Sequence, residues 1–337
     1  MSIDISKGIE SGNIVIRVLT TNTVISTLAT ENRFQGKVIQ PQIDSSKLIA
    51  EHGLAMSIEV NDGENKKRFL FDTGGPKKTI LENMIGFNLD FADFDKLILS
   101  HGHTDHYGGL LGVIPKLSEG CELILNPNCY EQSVILLSKS GEYYSPELLT
   151  EKFRELQKEK AFTFNFKIPI LKKKLIETVA EDSNVKIVET NTPLKLTEAI
   201  ITSGEIELFD DNETTKGLYL LKNRKEFFKH EARDETSIYI NIKDKGLVVL
   251  TGCGHAGIIN TIKHGQKLTC IDKVYAVIGG FHEEWNPIDT VEEKVKYFEE
   301  LNPEIICGMH CTGFNFNKLM SRHPSHTLGI VGTEFHL

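Results

Sequence analysis

Short apolar runs alternate with charged or polar breaks along most of the chain. Residues 97–100, 122–125, 238–241, 247–250, 273–278 and 304–307 each read as a buried strand. Residues 13–28 are rich in β-branched side chains and predict one or two further strands. Residues 54–60 and 68–71 predict a hairpin that turns at Asn61-Asp62-Gly63. Helices are predicted at residues 109–116, 258–263 and 290–301. Hairpins early and helices between later strands describe a mixed α/β protein, and periodicity alone carries the fold no further.

The pattern changes across an excursion at residues 126–234. Ser145 offers an N-cap and Pro146 follows at the first helical position, so residues 145–160, charged over most of their length, predict a surface helix. Lys172-Lys173-Lys174 reads as a solvated face. The excursion is long enough to cap a cleft, where substrate selectivity would reside. A single domain, 1–337, with a cap insertion around 126–234 is the expected organisation.

Composition narrows the classes. Hydrophobic residues make up 40% of the 337, enough for a substantial core, and 47 acidic against 38 basic residues leave a formal charge of −9. No basic stretch is interleaved with aromatics, so nucleic acid is not an expected partner. No run of ~18 apolar residues occurs, and Met-Ser-Ile-Asp-Ile-Ser lacks a basic region leading into an apolar one, so neither membrane association nor export is expected. The expected protein is cytoplasmic and acts on a small molecule. Six cysteines in this length do not form a disulfide framework. Cys121, Cys129 and Cys270 fit buried apolar positions, and Cys307-x-x-x-Cys311 lacks the second pair that a zinc ribbon needs.

The chemistry is concentrated in His101-Gly-His103-Thr-Asp105-His106, four potential metal ligands in six residues. An apolar strand precedes the run and Gly108-Gly109-Leu110-Leu111 opens a helix after it, so the ligands sit on a strand-to-helix loop. Imidazole and carboxylate together suit divalent zinc, manganese or iron.

In the form H-x-H-x-D-H this run resembles the metallo-β-lactamase superfamily. Phe69-Leu-Phe-Asp72-Thr-Gly74 upstream resembles that superfamily's strand ending in an Asp-Thr-Gly turn. Three further stretches, Thr251-Gly-Cys253-Gly-His255-Ala-Gly257, Gly279-Gly-Phe-His282 and Cys307-Gly-Met-His310-Cys-Thr-Gly313, resemble one subfamily. It is commonly named 7,8-dihydropterin-6-methyl-4-(β-D-ribofuranosyl)aminobenzene-5'-phosphate synthase. The resemblance implies a four-layer αββα sandwich with a helical insertion. It also implies two divalent ions, zinc first with manganese or iron as alternatives.

By the same resemblance His101 and His103 bind the first metal, while Asp105 and His106 bind the second together with His310. His255 is the candidate for the remaining histidine ligand. Most superfamily members carry a metal-bridging aspartate after the strand that here ends in Thr251-Gly252-Cys253, and a third histidine where this chain has Arg233-Asp234-Glu235-Thr236. His255 is expected to substitute, with Asp234 or Cys253 contributing, and the missing carboxylate makes partial occupancy of the second site one expected outcome. Asp72 is expected to orient a liganding imidazole. Asp105 and His282 are the expected catalytic residues, His282 as a phosphate contact or proton donor. Glu51-His52-Gly53 also resembles the subfamily, without an assigned role, and His323, His326 and His336 are expected on the surface.

A dinuclear site lowers the pKa of bound water, offers hydroxide as nucleophile and neutralises charge on a phosphoryl or carbonyl oxygen. The first functional expectation is therefore hydrolysis of a phosphorylated, ester or lactone small molecule. The alternative is a synthase-type transferase joining a phosphoribosyl pyrophosphate and a hydroxybenzoate, with phosphate held by metal, His282 and backbone amides because no G-x-x-x-x-G-K-[ST] loop is present. A non-catalytic metal-binding protein is a further class. An iron redox enzyme on this scaffold would carry glutamate in place of His103.

Overall fold

The computed structural model describes residues 2–25, 37–40, 47–62, 65–76 and 79–337. Residues 26–28 of the expected N-terminal strands and Gly63 of the expected turn lie outside them.

Two sheets face each other. In the first, eight strands run in the order β2 (Val38–Ile39), β17 (Glu334–His336), β1 (Ile14–Thr20), β3 (Ala55–Asp62), β4 (Asn65–Phe71), β5 (Lys96–Ile98), β6 (Glu122–Leu125) and β9 (Lys186–Glu189). In the second, five strands run β10 (Ile200–Thr202), β13 (Ile238–Ile242), β14 (Gly246–Thr251), β15 (Val274–Gly279) and β16 (Ile305–Gly308). Strand periodicity sorts the side chains into layers. Phe69 and Phe71 of β4 enter the core between the sheets, whereas Leu70 points to the outer face. Val248 and Leu250 of β14 likewise point inward, and Leu247 and Val249 outward. Strands buried on both faces read as continuous apolar runs, which is why β14 and β15 stand out in the sequence. Leu250→Ala should cost about 2–3 kcal/mol through the cavity it leaves between the sheets. The shift in urea midpoint measures it.

Helices cover both outer faces. α1 (Thr79–Gly86), α3 (Leu110–Val113) and α5 (Lys173–Asp182) pack on the first sheet, and α6 (Ile258–Thr269), α7 (Ile288–Leu301) and α8 (Gly313–Met320) on the second. The expected four-layer αββα order is therefore observed.

A third sheet stands apart, in the order β12 (Glu226–Lys229), β11 (Leu218–Lys222), β7 (Ser133–Ser138) and β8 (Phe162–Lys167). α4 (Pro146–Lys158) covers one of its faces, packing Leu149 and Phe153 on Val134, Leu136, Tyr219 and Phe227. Ser145 caps α4 as expected, its Oγ accepting from the Leu148 N–H at 3.2 Å. The stretch 126–234 is thus divided: β7, β8, β11 and β12 build the third sheet and α4 covers it, while α5, β9 and β10 return to the sandwich layers.

Two surface and burial expectations are corrected. Cys270 is exposed, because it ends α6 in the left-handed conformation. The C-terminal segment is not a polar tail: β17 pairs with β1 and β2, Phe335 and Leu337 are buried, and His326 is buried with its Nε2 3.0 Å from Asn317 Oδ1.

Candidate metal centre

Every chemically rich segment leaves the same end of the sandwich. β4, β5, β14, β15 and β16 end at Phe71, Ile98, Thr251, Gly279 and Gly308, and Asp72, the 101–106 run, Cys253 and His255, His282 and His310 follow them. β13 runs antiparallel to β14, so Asp234 and Glu235 enter at that end before it begins. Ligand sites in sheets with parallel strands form at such carboxyl ends.

Asp72 organises the run. It adopts φ 62°, and its carboxylate accepts from the Ser100 N–H and the Ser100 hydroxyl, each at 2.7 Å. The same Oδ2 lies 2.7 Å from His106 Nδ1, which directs His106 Nε2 away from Asp72. Gly102 admits no side chain, since a Cβ there would meet the Cys129 carbonyl at 2.2 Å. Its N–H donates to Asp234 Oδ2 at 2.9 Å. The single turn of α2 (Thr104–Tyr107) then sets Asp105 and His106 facing the cluster.

Two donor groups result. Asp105, His106, Cys253 and His310 offer donor atoms all within 4.8 Å of one another. His106 Nε2 lies 3.0 Å from Cys253 Sγ and 3.2 Å from His310 Nε2, and His310 Nε2 lies 3.1 Å from Asp105 Oδ2. His101, Cys253 and His255 form the other group. His103 joins it through Nδ1, 3.1 Å from His255 Nε2. Cys253 belongs to both groups and stands where the bridging aspartate was missed.

The donor chemistry fits divalent ions. His101 Nε2 is buried without a hydrogen-bond partner, an expensive condition that a cation relieves. Burial holds His101 and His255 well below the usual histidine range and lowers His103 to about 4, so these rings keep free lone pairs. Burial alone would lower His106 too, but Asp72 and Asp105 outweigh it and raise its pKa. Burial would raise Asp105, but His106 and His310 hold it well below the carboxylate range.

All the expected donors, His101, His103, Asp105, His106, His255 and His310, converge with Cys253. Asp234 is in neither group: its carboxylate accepts from Gly102 instead, so it supports the loop from behind. His282 sits against His255 with ring centroids 4.3 Å apart, and burial lowers its pKa to about 3. Four contributors were missed. His52 Nε2 lies 3.4 Å from Asp105 Oδ2, Asn22 Oδ1 lies 3.1 Å from His310 Nδ1, and Thr215 Oγ1 lies 3.1 Å from His255 Nδ1. Glu235 accepts from the Gly254, His255 and Ala256 N–H groups at 2.7, 2.9 and 2.7 Å, clamping the loop that carries Cys253. Only His52, inside the Glu51-His52-Gly53 resemblance, had a local signal; the others act across the fold.

An ion triad centred on the buried Lys294 holds the remaining wall. Lys294 of α7 lies 2.6 Å from Glu213 and 3.2 Å from Glu283, joining the segment of Thr215 to the loop of His282. Lys294→Met would leave the buried Glu283 carboxylate without its cation and facing the partly buried Glu213, with an expected stability loss of about 3 kcal/mol. Urea unfolding reads that loss, and a change under ~1 kcal/mol would refute the clamp.

Above the donors lies a cavity of about 430 Å³, mostly apolar, reaching from His103, Asp105 and Cys253 to the third sheet. No described helix is long and apolar enough to cross a membrane.

Comparison with known proteins agrees with this arrangement. Residues 54–118 match the model of the metallo-beta-lactamase superfamily. The chain is 32% identical, over 274 residues, to the 7,8-dihydropterin-6-methyl-4-(beta-D-ribofuranosyl)-aminobenzene-5'-phosphate synthase of Methanocaldococcus jannaschii, covering 80% of this chain and 84% of that one. An uncharacterized protein of the same organism is 29% identical over 88% of this chain and 97% of its own length. Among solved structures, Tm1679, described as a metal-dependent hydrolase of the beta-lactamase superfamily, shares the fold with a TM-score of 0.66 at 22% identity, over 96% of this chain and 99% of its own.

Proposed function

Because the chain belongs to the metallo-β-lactamase superfamily, we propose that it is a metal-dependent enzyme cleaving a phosphoryl, ester or lactone bond of a small molecule. The observation that carries this reading is the pair of buried donor groups sharing Cys253 beneath an open cavity. His101, His103 and His255 would hold one ion and Asp105, His106 and His310 the other, with Cys253 between them. Bound divalent ions, zinc first, supply Lewis acidity toward a phosphoryl or carbonyl oxygen and make water acidic enough to act near neutral pH.

The protein's own groups set the geometry. Asp72 accepts a hydrogen bond from the His106 Nδ1–H and Asn22 Oδ1 one from the His310 Nδ1–H, leaving each Nε2 lone pair aimed at the cluster. Thr215 fixes His255 through Nδ1 in the same way. His282, on the cavity wall, offers a neutral imidazole N–H to an oxygen of the substrate or leaving group.

A second reading follows from the synthase relative. The product in its name joins a dihydropterin 6-methyl carbon to an aminobenzene that bears a ribofuranosyl phosphate. For this chain, the corresponding reaction breaks the bond from such a methyl carbon to a phosphate-type leaving group and forms a carbon–nitrogen bond. The arylamine loses a proton and the leaving group departs as its anion.

Zinc- and manganese-loaded protein, assayed against aryl phosphodiesters, phosphomonoesters including benzyl phosphate, and lactones, separates these readings when an arylamine is added in parallel. Metal-dependent release of product without amine supports hydrolysis, and release only with amine supports transfer. Full metal loading with no turnover of either kind would make the chain a binding protein and contradict the proposal.

A further inference from the structure

Resting on that reading, we propose that the uncovered face of the third sheet, together with Trp285, binds a planar aromatic ring of the substrate beside the metal donors.

The third sheet has two apolar faces, and among the described residues one helix packs on it. On β7, Val134 and Leu136 turn to α4, and Ile135 between them turns to the cavity. Strand register continues this second face across the sheet: Leu218 of β11 pairs with Ile135, and Ile135 pairs with Phe166 of β8. The next row sets Leu137 beside Phe164. Beyond the register shift that follows, Phe162 packs with Phe153 of α4 instead. Phe164 and Phe166 therefore stay 45% exposed each, which for rings this large marks a surface awaiting an apolar partner.

The position and shape of the face define that partner. Phe164, Phe166, Ile135 and Leu218 line the same cavity as His103, Asp105 and Cys253, so its occupant must also reach the donors. A volume of about 430 Å³ suits a small molecule. The Phe164 and Phe166 rings lie 5.9 Å apart and only 32° from parallel, a nearly continuous flat wall. Trp285 is held edge-on to His282 at 4.8 Å and borders the same space. Rings of this kind favour another aromatic ring over a saturated one of equal volume, because offset and edge-to-face contacts add to simple burial.

Zinc-loaded protein titrated with phenyl phosphate, cyclohexyl phosphate and inorganic phosphate tests this. The two organic phosphates match in charge and nearly in size but differ in planarity. Trp285 is the chain's only tryptophan, so its emission reports cavity occupancy, with calorimetry as a second readout. Phenyl phosphate is expected to bind roughly tenfold tighter than cyclohexyl phosphate. In F164A and F166A that preference should fall toward one, with inorganic phosphate affinity and metal content unchanged, and F166L should restore burial without the preference. Equal affinities in the unmodified chain, or a preference that survives both F164A and F166A, would overturn the proposal. Phenol and cyclohexanol repeat the comparison without phosphate. A ring preference that persists there while phosphate binding proves metal-independent would sink the metal reading alone. If F166A instead abolished a concentration-dependent dimer and left the ring preference intact, the face would belong to a second copy of the chain.

Discussion

Replacing His106 with alanine is expected to abolish metal-dependent turnover, by more than about 1000-fold, a barrier increase of about 4 kcal/mol. His106 stands at the centre of its donor group, within 3.2 Å of both Cys253 Sγ and His310 Nε2. The same substitution strips Asp72 of its imidazole partner inside the core, so lower stability should accompany the lost activity. His106→Asn, which can still donate to Asp72, separates the two effects. It should recover most of the stability and none of the activity. Activity within tenfold of the unmodified protein in H106A, measured on metal-loaded and folded samples, would rule the cluster out as the reactive centre.

Cys253 carries the second large effect. A shared thiolate can serve two ions only if both donor groups are occupied around it, so Cys253→Ala should release one ion and reduce turnover by about 100-fold or more. Cys253→Asp places a carboxylate at the position shared by the two donor groups, and should retain two ions. Cobalt-loaded protein offers a direct optical check, since a thiolate ligand produces a near-ultraviolet charge-transfer band. The band should vanish in C253A and C253D alike. A band unchanged in both would transfer the thiolate role to Cys311, whose Sγ lies 3.3 Å from the Cys253 carbonyl.

Much of the sandwich was legible because its strands announce themselves twice, by continuous apolar runs where both faces are buried and by alternation where one is not. β14 and β15 fall within a residue or two of the runs at 247–250 and 273–278. The four-layer order was a different matter: it came from the resemblance of the His101–His106 run, because strand periodicity does not say which sheet a strand joins. The third sheet escaped notice for a physical reason. β8 reads Phe-Thr-Phe-Asn-Phe-Lys, an alternation that fits a strand, but only Phe162 meets α4 while Phe164 and Phe166 stay exposed, so the local pattern does not reveal that a separate sheet forms around it.

The donor set divides along the same line. His101, His103, Asp105 and His106 are adjacent in sequence and could be read together, and His255 and His310 follow strands whose ends could be placed. Asn22, Thr215 and Glu235 touch the cluster only through folding over 288, 40 and about 20 residues of chain. Each has an ordinary local context. Asp234, by contrast, was legible as a candidate although its role was left open, because from sequence a carboxylate that ligates a metal and one that holds a glycine N–H look alike.

The most direct test is elemental mass spectrometry on the chain purified without chelator or affinity histidines, expressed as moles of metal per mole of protein. Close to two equivalents of zinc or manganese are expected, falling toward one in C253A. One equivalent or less in the unmodified chain, not raised by added zinc or manganese, would contradict a pair of ions sharing Cys253.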